Sequence, residues 1–136
     1  MPFVRIEYMK EAHDSKNLNK ISKTIQQTLI NEFDVPNKDY FQVFQSHEAH
    51  EFFYDDSYFL NSKRSNKLLY IYVTLAPGRS KAKKLRFYKE LSIALSTHCG
   101  IQMEDIFILL VETERENWSF GNGLAQALEG GIPIEK

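Results

Sequence analysis

Two helix-capping residues, Asp14 and Ser80, stand 66 positions apart, and the surrounding sequence keeps that interval. Val35 and Ile101, Asp39 and Asp105, and Phe41 and Phe107 are separated by it too, and Ile21, Ile25 and Leu29 map onto Phe87, Leu91 and Leu95. A chain that repeats in this way builds the same unit twice. In the first unit, Phe3 to Tyr8 reads as a strand. Asp14 then caps a helix to about Phe33, with Leu18, Ile21, Ile25 and Leu29 on one face. Val35-Pro36 ends that helix, because proline cannot continue the ladder and displaces its predecessor. Tyr40 to Gln45 is the second strand. In the second unit, Leu68 to Leu75 is a strand and Pro77-Gly78 turns the chain. Ser80 caps a helix to His98, Gly100 stops it, and Ile106 to Val111 is the last strand. The units span 2–46 and 68–112 of a single domain over 1–136, with a connector at 47–67 and a tail at 113–136 in which a small hairpin is expected from Glu116. A helical crossover makes each strand pair parallel and right-handed. The expected fold is α+β, a four-stranded mixed sheet with two helices on one face.

A sheet covered on one face only should alternate apolar and polar residues. Ile106-Phe107-Ile108-Leu109-Leu110-Val111 is apolar on both parities, and Leu68-Leu69-Tyr70-Ile71-Tyr72-Val73 nearly so. Such runs are buried on both faces. Either the connector and tail fold over the second face or sheets of several subunits pack together, and the runs favour the oligomer.

With 136 residues and 43% apolar content, the chain can bury a real core. Lys+Arg 17 against Asp+Glu 18 leaves no charge excess to draw nucleic acid or an anionic membrane. An RRM-type aromatic signature is also missing. Cys99 is the only cysteine, so no internal disulfide is expected, and it has no paired histidine. Neither a leader nor a run of membrane-spanning length is read from the sequence, so a cytoplasmic protein with no membrane partner is expected.

Three positions could carry chemistry. Pro2 follows the initiator methionine, and removing Met1 would expose a secondary amine. An unperturbed terminal amine titrates at roughly 7.7–8.0, nearer neutrality than lysine. Arg79, at the mouth of a strand–helix turn, can hold a carboxylate by two parallel hydrogen bonds, or be one more solvated cation beside Lys81, Lys83 and Lys84. Asp39 can act as an acid/base group or simply serve its turn, as Asp105 would in the second unit. His47-Glu48-Ala49-His50 has one residue too few between its histidines to place both on one helical face, so no metal site is expected. The connector aromatics Phe52, Phe53, Tyr54, Tyr58 and Phe59 suit a subunit contact, and Ser62 to Lys67 a solvated basic loop.

The ordered set Met1-Pro2-Phe3-Val4-Arg5-Ile6, Val35-Pro36-Asn37-Lys38-Asp39-Tyr40-Phe41-Gln42-Val43, Gly78-Arg79-Ser80 and Asn117-Trp118-Ser119-Phe120-Gly121-Asn122-Gly123 resembles the tautomerase superfamily. With the duplicated unit, it is similar to the fused subunits of the malonate semialdehyde decarboxylase branch. The resemblance implies a homotrimer whose sheets line a central core, a small carboxylate substrate and no cofactor. It also implies that Pro2 is the catalytic proline, Arg79 a substrate-binding arginine, Asp39 the assisting carboxylate, and Trp118 and Phe120 an apolar wall. Leu68 stands where the second unit would need its own proline, so one proline per subunit is available. The branch has two arginines at the turn after the third strand. Here the turn is Ala76-Pro77-Gly78-Arg79-Ser80, with Pro77 in the place of the first.

That departure weighs against decarboxylation and leaves the simpler enol–keto isomerisation of 2-oxo acids as the expected activity. Decarboxylation or hydration of malonate-semialdehyde-like acids, and a non-catalytic interaction role on the same scaffold, are the alternatives.

Overall fold

The computed structural model describes residues 1–128. Its elements are β1 (Phe3–Met9), α1 (Ser15–Phe33), β2 (Gln42–His47), β3 (Leu69–Leu75), α2 (Lys81–Cys99) and β4 (Ile106–Glu112). Short 3-10 turns lie at Ala49–Glu51, Met103–Asp105 and Arg115–Asn117. β1 and β3, α1 and α2, and the turns that follow β2 and β4 recur at the 66-residue interval. The four strands run β2-β1-β3-β4, so the fold is the expected α+β mixed sheet. β1 is parallel to β2 and β3 to β4, while β1 and β3 are antiparallel with Val4 opposite Val73 and Ile6 opposite Ile71.

The helices begin where the caps predict. The Asp14 carboxylate accepts from the Asn17 N–H at 2.7 Å, and Ser80 Oγ accepts from the Lys83 N–H at 3.2 Å. They end on left-handed residues at matching places, Asp34 (φ 56°) and Gly100 (φ 69°).

One parity of each central strand forms the core. Val4 and Ile6 of β1 and Leu69, Ile71, Val73 and Leu75 of β3 are buried against Ile21, Ile25 and Leu29 of α1 and Phe87, Leu91 and Leu95 of α2. Cys99 is buried, with its thiol 3.6 Å from Thr24 Oγ1. The other sheet face is largely open in the single chain, and Phe107, Leu109 and Val111 of β4 are 43–44% exposed. The connector covers only a corner of it. Phe52 is buried there, its ring 5.1 Å from that of Tyr70, whose hydroxyl donates to the Phe53 carbonyl at 2.7 Å. Phe53, Tyr58 and Phe59 are exposed. No helix of the described residues is long and apolar enough to cross a membrane.

Two local expectations are corrected. β2 begins at Gln42 rather than Tyr40, because the Asp39 and Tyr40 N–H groups close a turn on the Pro36 and Lys38 carbonyls. The Tyr40 hydroxyl is 2.6 Å from Ser22 Oγ on α1, which also holds that residue off the ladder. The expected tail hairpin is absent among the described residues. There the Gln126 side chain accepts from the Phe120 N–H at 2.9 Å and donates to the Gly121 carbonyl at 2.7 Å, so a side chain meets backbone groups that a strand would have paired. Residues 129–136 of that tail lie outside the described part.

Candidate active site

Antiparallel pairing brings the start of β1 to the end of β3, and parallel pairing brings the end of β4 beside it. The loop entering β2 joins them, since the Val4 N–H donates to the Phe41 carbonyl at 3.0 Å. Pro2, Asp39, Arg79, Trp118 and Phe120 thus hang from segments that meet at one end of the sheet.

Pro2 is buried immediately before β1. With Met1 attached its nitrogen is a peptide nitrogen without basicity, and the chain's amine is one residue upstream. That ammonium pairs with Asp39 Oδ2 in a partly buried contact. Asp39 is held by the turn after α1, where buried Gln26 donates to its backbone carbonyl at 3.1 Å. Its second oxygen, Oδ1, is buried with no hydrogen-bond partner. A buried carboxylate oxygen without a donor is costly unless a bound group or water meets it, so Asp39 has an acceptor to spare beside the terminal amine.

Arg79 is anchored rather than free. Nη1 donates to the Ala76 carbonyl at 3.1 Å, and Nη2 donates to the Phe33 carbonyl at 3.2 Å. The guanidinium also sits 5.2 Å from the Phe33 ring centroid. The last turn of α1 has no basic residue of its own, so Arg79 supplies a cation to that helix end. Desolvation lowers the Arg79 pKa first and the nearby Arg115 charge second, opposed by Asp34, Asp39 and Glu112. The residue stays charged and faces a cavity of about 380 Å³ whose lining includes Phe33, Asp34, Pro77, Lys83 and Arg115; Pro2 and Asp39 are not among the residues that line it.

Trp118 and Phe120 stack at 5.8 Å with their rings 13° from parallel. Phe120 in turn lies 5.8 Å from Phe41, so the aromatic pair packs on the loop that enters β2. Trp118 Nε1 is buried without a partner, so it too is an unused polar group. Among the described residues no group of three or more His, Cys, Asp and Glu is placed to hold a metal ion. His47 bonds Glu7 Oε1 at 2.6 Å, while His50 lies in the following turn.

A family model described as tautomerase enzyme matches residues 39–121. The chain belongs to the tautomerase family. This tautomerase-family chain is 41% identical over 129 residues to Probable tautomerase YusQ of Bacillus subtilis (strain 168), covering 95% of itself and 100% of the relative. Among solved structures it is similar to malonate semialdehyde decarboxylase at 28% identity and a TM-score of 0.88, with 96% and 98% of the two chains covered. It also shares the fold of fused 4-OT, a symmetric trimer, at 17% identity and a TM-score of 0.75 over 96% and 99% of the chains. Membership in this family, with decarboxylase and 4-OT neighbours, supports an enzyme.

One residue of this tautomerase end escapes sequence reading. Arg115 lines the Arg79 cavity, yet it sits in Glu112-Thr113-Glu114-Arg115-Glu116, where an arginine among acids looks like a solvated surface charge. No local signal marks it, because its place comes from the way β4 ends beside β3.

Proposed function

We propose that this chain is a cofactor-independent tautomerase that interconverts enol and keto forms of small 2-oxo acids, with Pro2 as its base once Met1 is removed. The observation that carries the reading is the pairing of the terminal ammonium with Asp39 at the start of β1. Loss of one residue moves the amine to buried Pro2, next to the same turn. In its unprotonated form that nitrogen takes the enol hydroxyl proton and returns one to carbon. Arg79 holds the substrate carboxylate by N–H groups left over from its backbone anchors, and Asp39 steers the proton. Trp118 and Phe120 form the apolar side that receives the rest of the substrate.

The open sheet face with Phe107, Leu109 and Val111 supports a trimer in which three sheets pack together, as in the symmetric trimer of fused 4-OT. Light scattering should give three times the chain mass of 15.9 kDa, and a monomer would reject that part of the reading.

The activity is tested by phenylenolpyruvate ketonisation, after intact mass has verified loss of Met1. An acid/base group typically contributes about 10²–10⁴-fold, so Pro2→Ala should lose at least about 10²-fold. Equal rates sink the proposal. Likeness to malonate semialdehyde decarboxylase supports a second reading as a lyase. Carbon dioxide release from malonate semialdehyde without ketonisation would select it.

A further inference from the structure

Arg79 uses two N–H groups on the Ala76 and Phe33 carbonyls. A guanidinium has five donors, so three remain. Arg115 reaches the same cavity from the opposite segment, and its backbone is well fixed. The Thr113 N–H donates to the Leu75 carbonyl at 2.9 Å, next to the Ala76 carbonyl that anchors Arg79. Asn117 closes the turn, donating from Nδ2 to Thr113 Oγ1 at 2.7 Å and from its backbone to the Glu114 carbonyl at 2.9 Å. Both arginines therefore hang from neighbouring residues at the end of β3.

The nearby acids have lysine partners, and one such pair, Asp34 with Lys83, itself lines the cavity. Glu112 pairs with Lys84 at 2.8 Å and Asp34 with Lys83 at 3.5 Å. Among the described residues, neither arginine has a carboxylate within 4.0 Å. Two guanidinium charges facing one cavity repel, and Asp34, already paired with Lys83, offsets them only in part, so an added anion is favoured there. Each fork matches a carboxylate in geometry.

We propose that Arg115 is a second substrate-binding cation, closing on the carboxylate that Arg79 anchors. The assignment rests on the tautomerase reading for its substrate and on the shared cavity for its geometry. Arg79 is fixed by its carbonyls and sets position. Arg115 is exposed and lies on a turn, so its contribution falls on affinity rather than on proton transfer.

Arg115→Gln and Arg115→Lys are to be compared with phenylenolpyruvate and with the methyl ester of the same enol. A hydrogen bond to a charged group corresponds to about tenfold or more in binding. Arg115→Gln should therefore raise KM for the acid about tenfold, shift kcat much less, and leave the ester's kinetics near those of the parent. Arg115→Lys should recover only part of the loss, because an ammonium lacks the fork. An unchanged KM for the acid, or equal losses for acid and ester, overturns the proposal. Calorimetric titration of phenylpyruvate into Pro2→Ala protein, with and without Arg115→Gln, separates this proposal from the catalytic one. A tenfold affinity difference supports Arg115 whether or not Pro2 is the base, and retained ketonisation by Pro2→Ala rejects proline catalysis without touching the Arg115 result. No affinity difference, or no binding in either protein, rejects Arg115.

Discussion

At the end of the sheet where β1 begins, Asp39 pairs with the chain terminus through one oxygen and leaves the other buried and unpartnered. At the opposite end Asp105, 66 residues on, has both oxygens bonded: Oδ1 accepts from the Ser65 N–H at 2.7 Å and Oδ2 from Ser65 Oγ at 2.6 Å. The same interval carries Pro2 to Leu68, which is fully buried within the chain and can expose no amine. It carries Arg79 back to His13. Arg79 donates to the Phe33 carbonyl at the end of α1, while at the end of α2 the neutral amide of Asn17 donates to the Cys99 carbonyl at 3.3 Å. One backbone thus serves two purposes. Where its polar groups are satisfied internally it stabilises the fold, and where they are left with spare capacity it can bind.

The largest contrast should come from the paired positions Pro2 and Leu68. Leu68→Ala removes a fully buried side chain and should cost about 3 kcal/mol of stability, read as a lower urea midpoint. Turnover per folded molecule should be unchanged, whereas Pro2→Ala should do the reverse. A Leu68→Ala protein that is stable but inactive would mean that the second end takes part in catalysis.

The two aspartates sharpen the comparison. Asp105→Ala strands the Ser65 N–H and should destabilise by about 2–3 kcal/mol. Asp39→Asn should leave the melting temperature within a few degrees and lower kcat/KM about 10²-fold. Similar stability losses in both variants would make Asp39 a structural turn residue like its counterpart.

His13 offers a contrast in pH response. Burial lowers its pKa below the usual histidine value, with Lys67 acting in the same direction, while a hydrogen bond to the Lys67 carbonyl and the charges of Asp105 and Asp14 oppose. Its native pKa is therefore below the unfolded one, near 6.5. The unfolded chain takes up the proton first, so this contribution is complete above the unfolded pKa and is lost as pH falls toward the depressed native value. Chemical denaturation at pH 7 and pH 5.5 should show a smaller acid-induced loss for His13→Gln than for the parent. Equal losses would remove His13 as the cause. Arg79, its counterpart, stays charged throughout this window.

The repeat was legible because it is written in caps and core residues, whose spacing is set by the backbone. Asp14, Ser80, Ile25 and Leu91 behave as their positions require. The site was legible only in part. Asp39 and Arg79 lie at turns beside helix ends, but the sequence shows neither the unpartnered Asp39 oxygen nor the two carbonyls that anchor Arg79. Arg115 was not legible, since its relation to Arg79 depends on the pairing of β3 with β4. The strand enters at Gln42 although Tyr40 has strong strand character. Its hydroxyl contact with Ser22 is tertiary and overrides that preference.

The smallest expected difference between the halves is at the helix ends. Asp34 and Gly100 both take left-handed backbone, but only glycine does so without a Cβ penalty. Gly100→Ala should cost about 1 kcal/mol, and a Cβ there meets no atom within 4 Å, so the loss would be conformational and not steric crowding. Asp34→Gly should gain a comparable amount, offset by the exposed Lys83 pair at 3.5 Å, which is worth only a few tenths of a kcal/mol. Thermal melts of the two variants should move in opposite directions. If Asp34→Gly instead lowers the melting temperature, the Asp34 carboxylate contributes more to the Arg79 end than its surface pair implies, and the two helix ends differ in more than backbone strain.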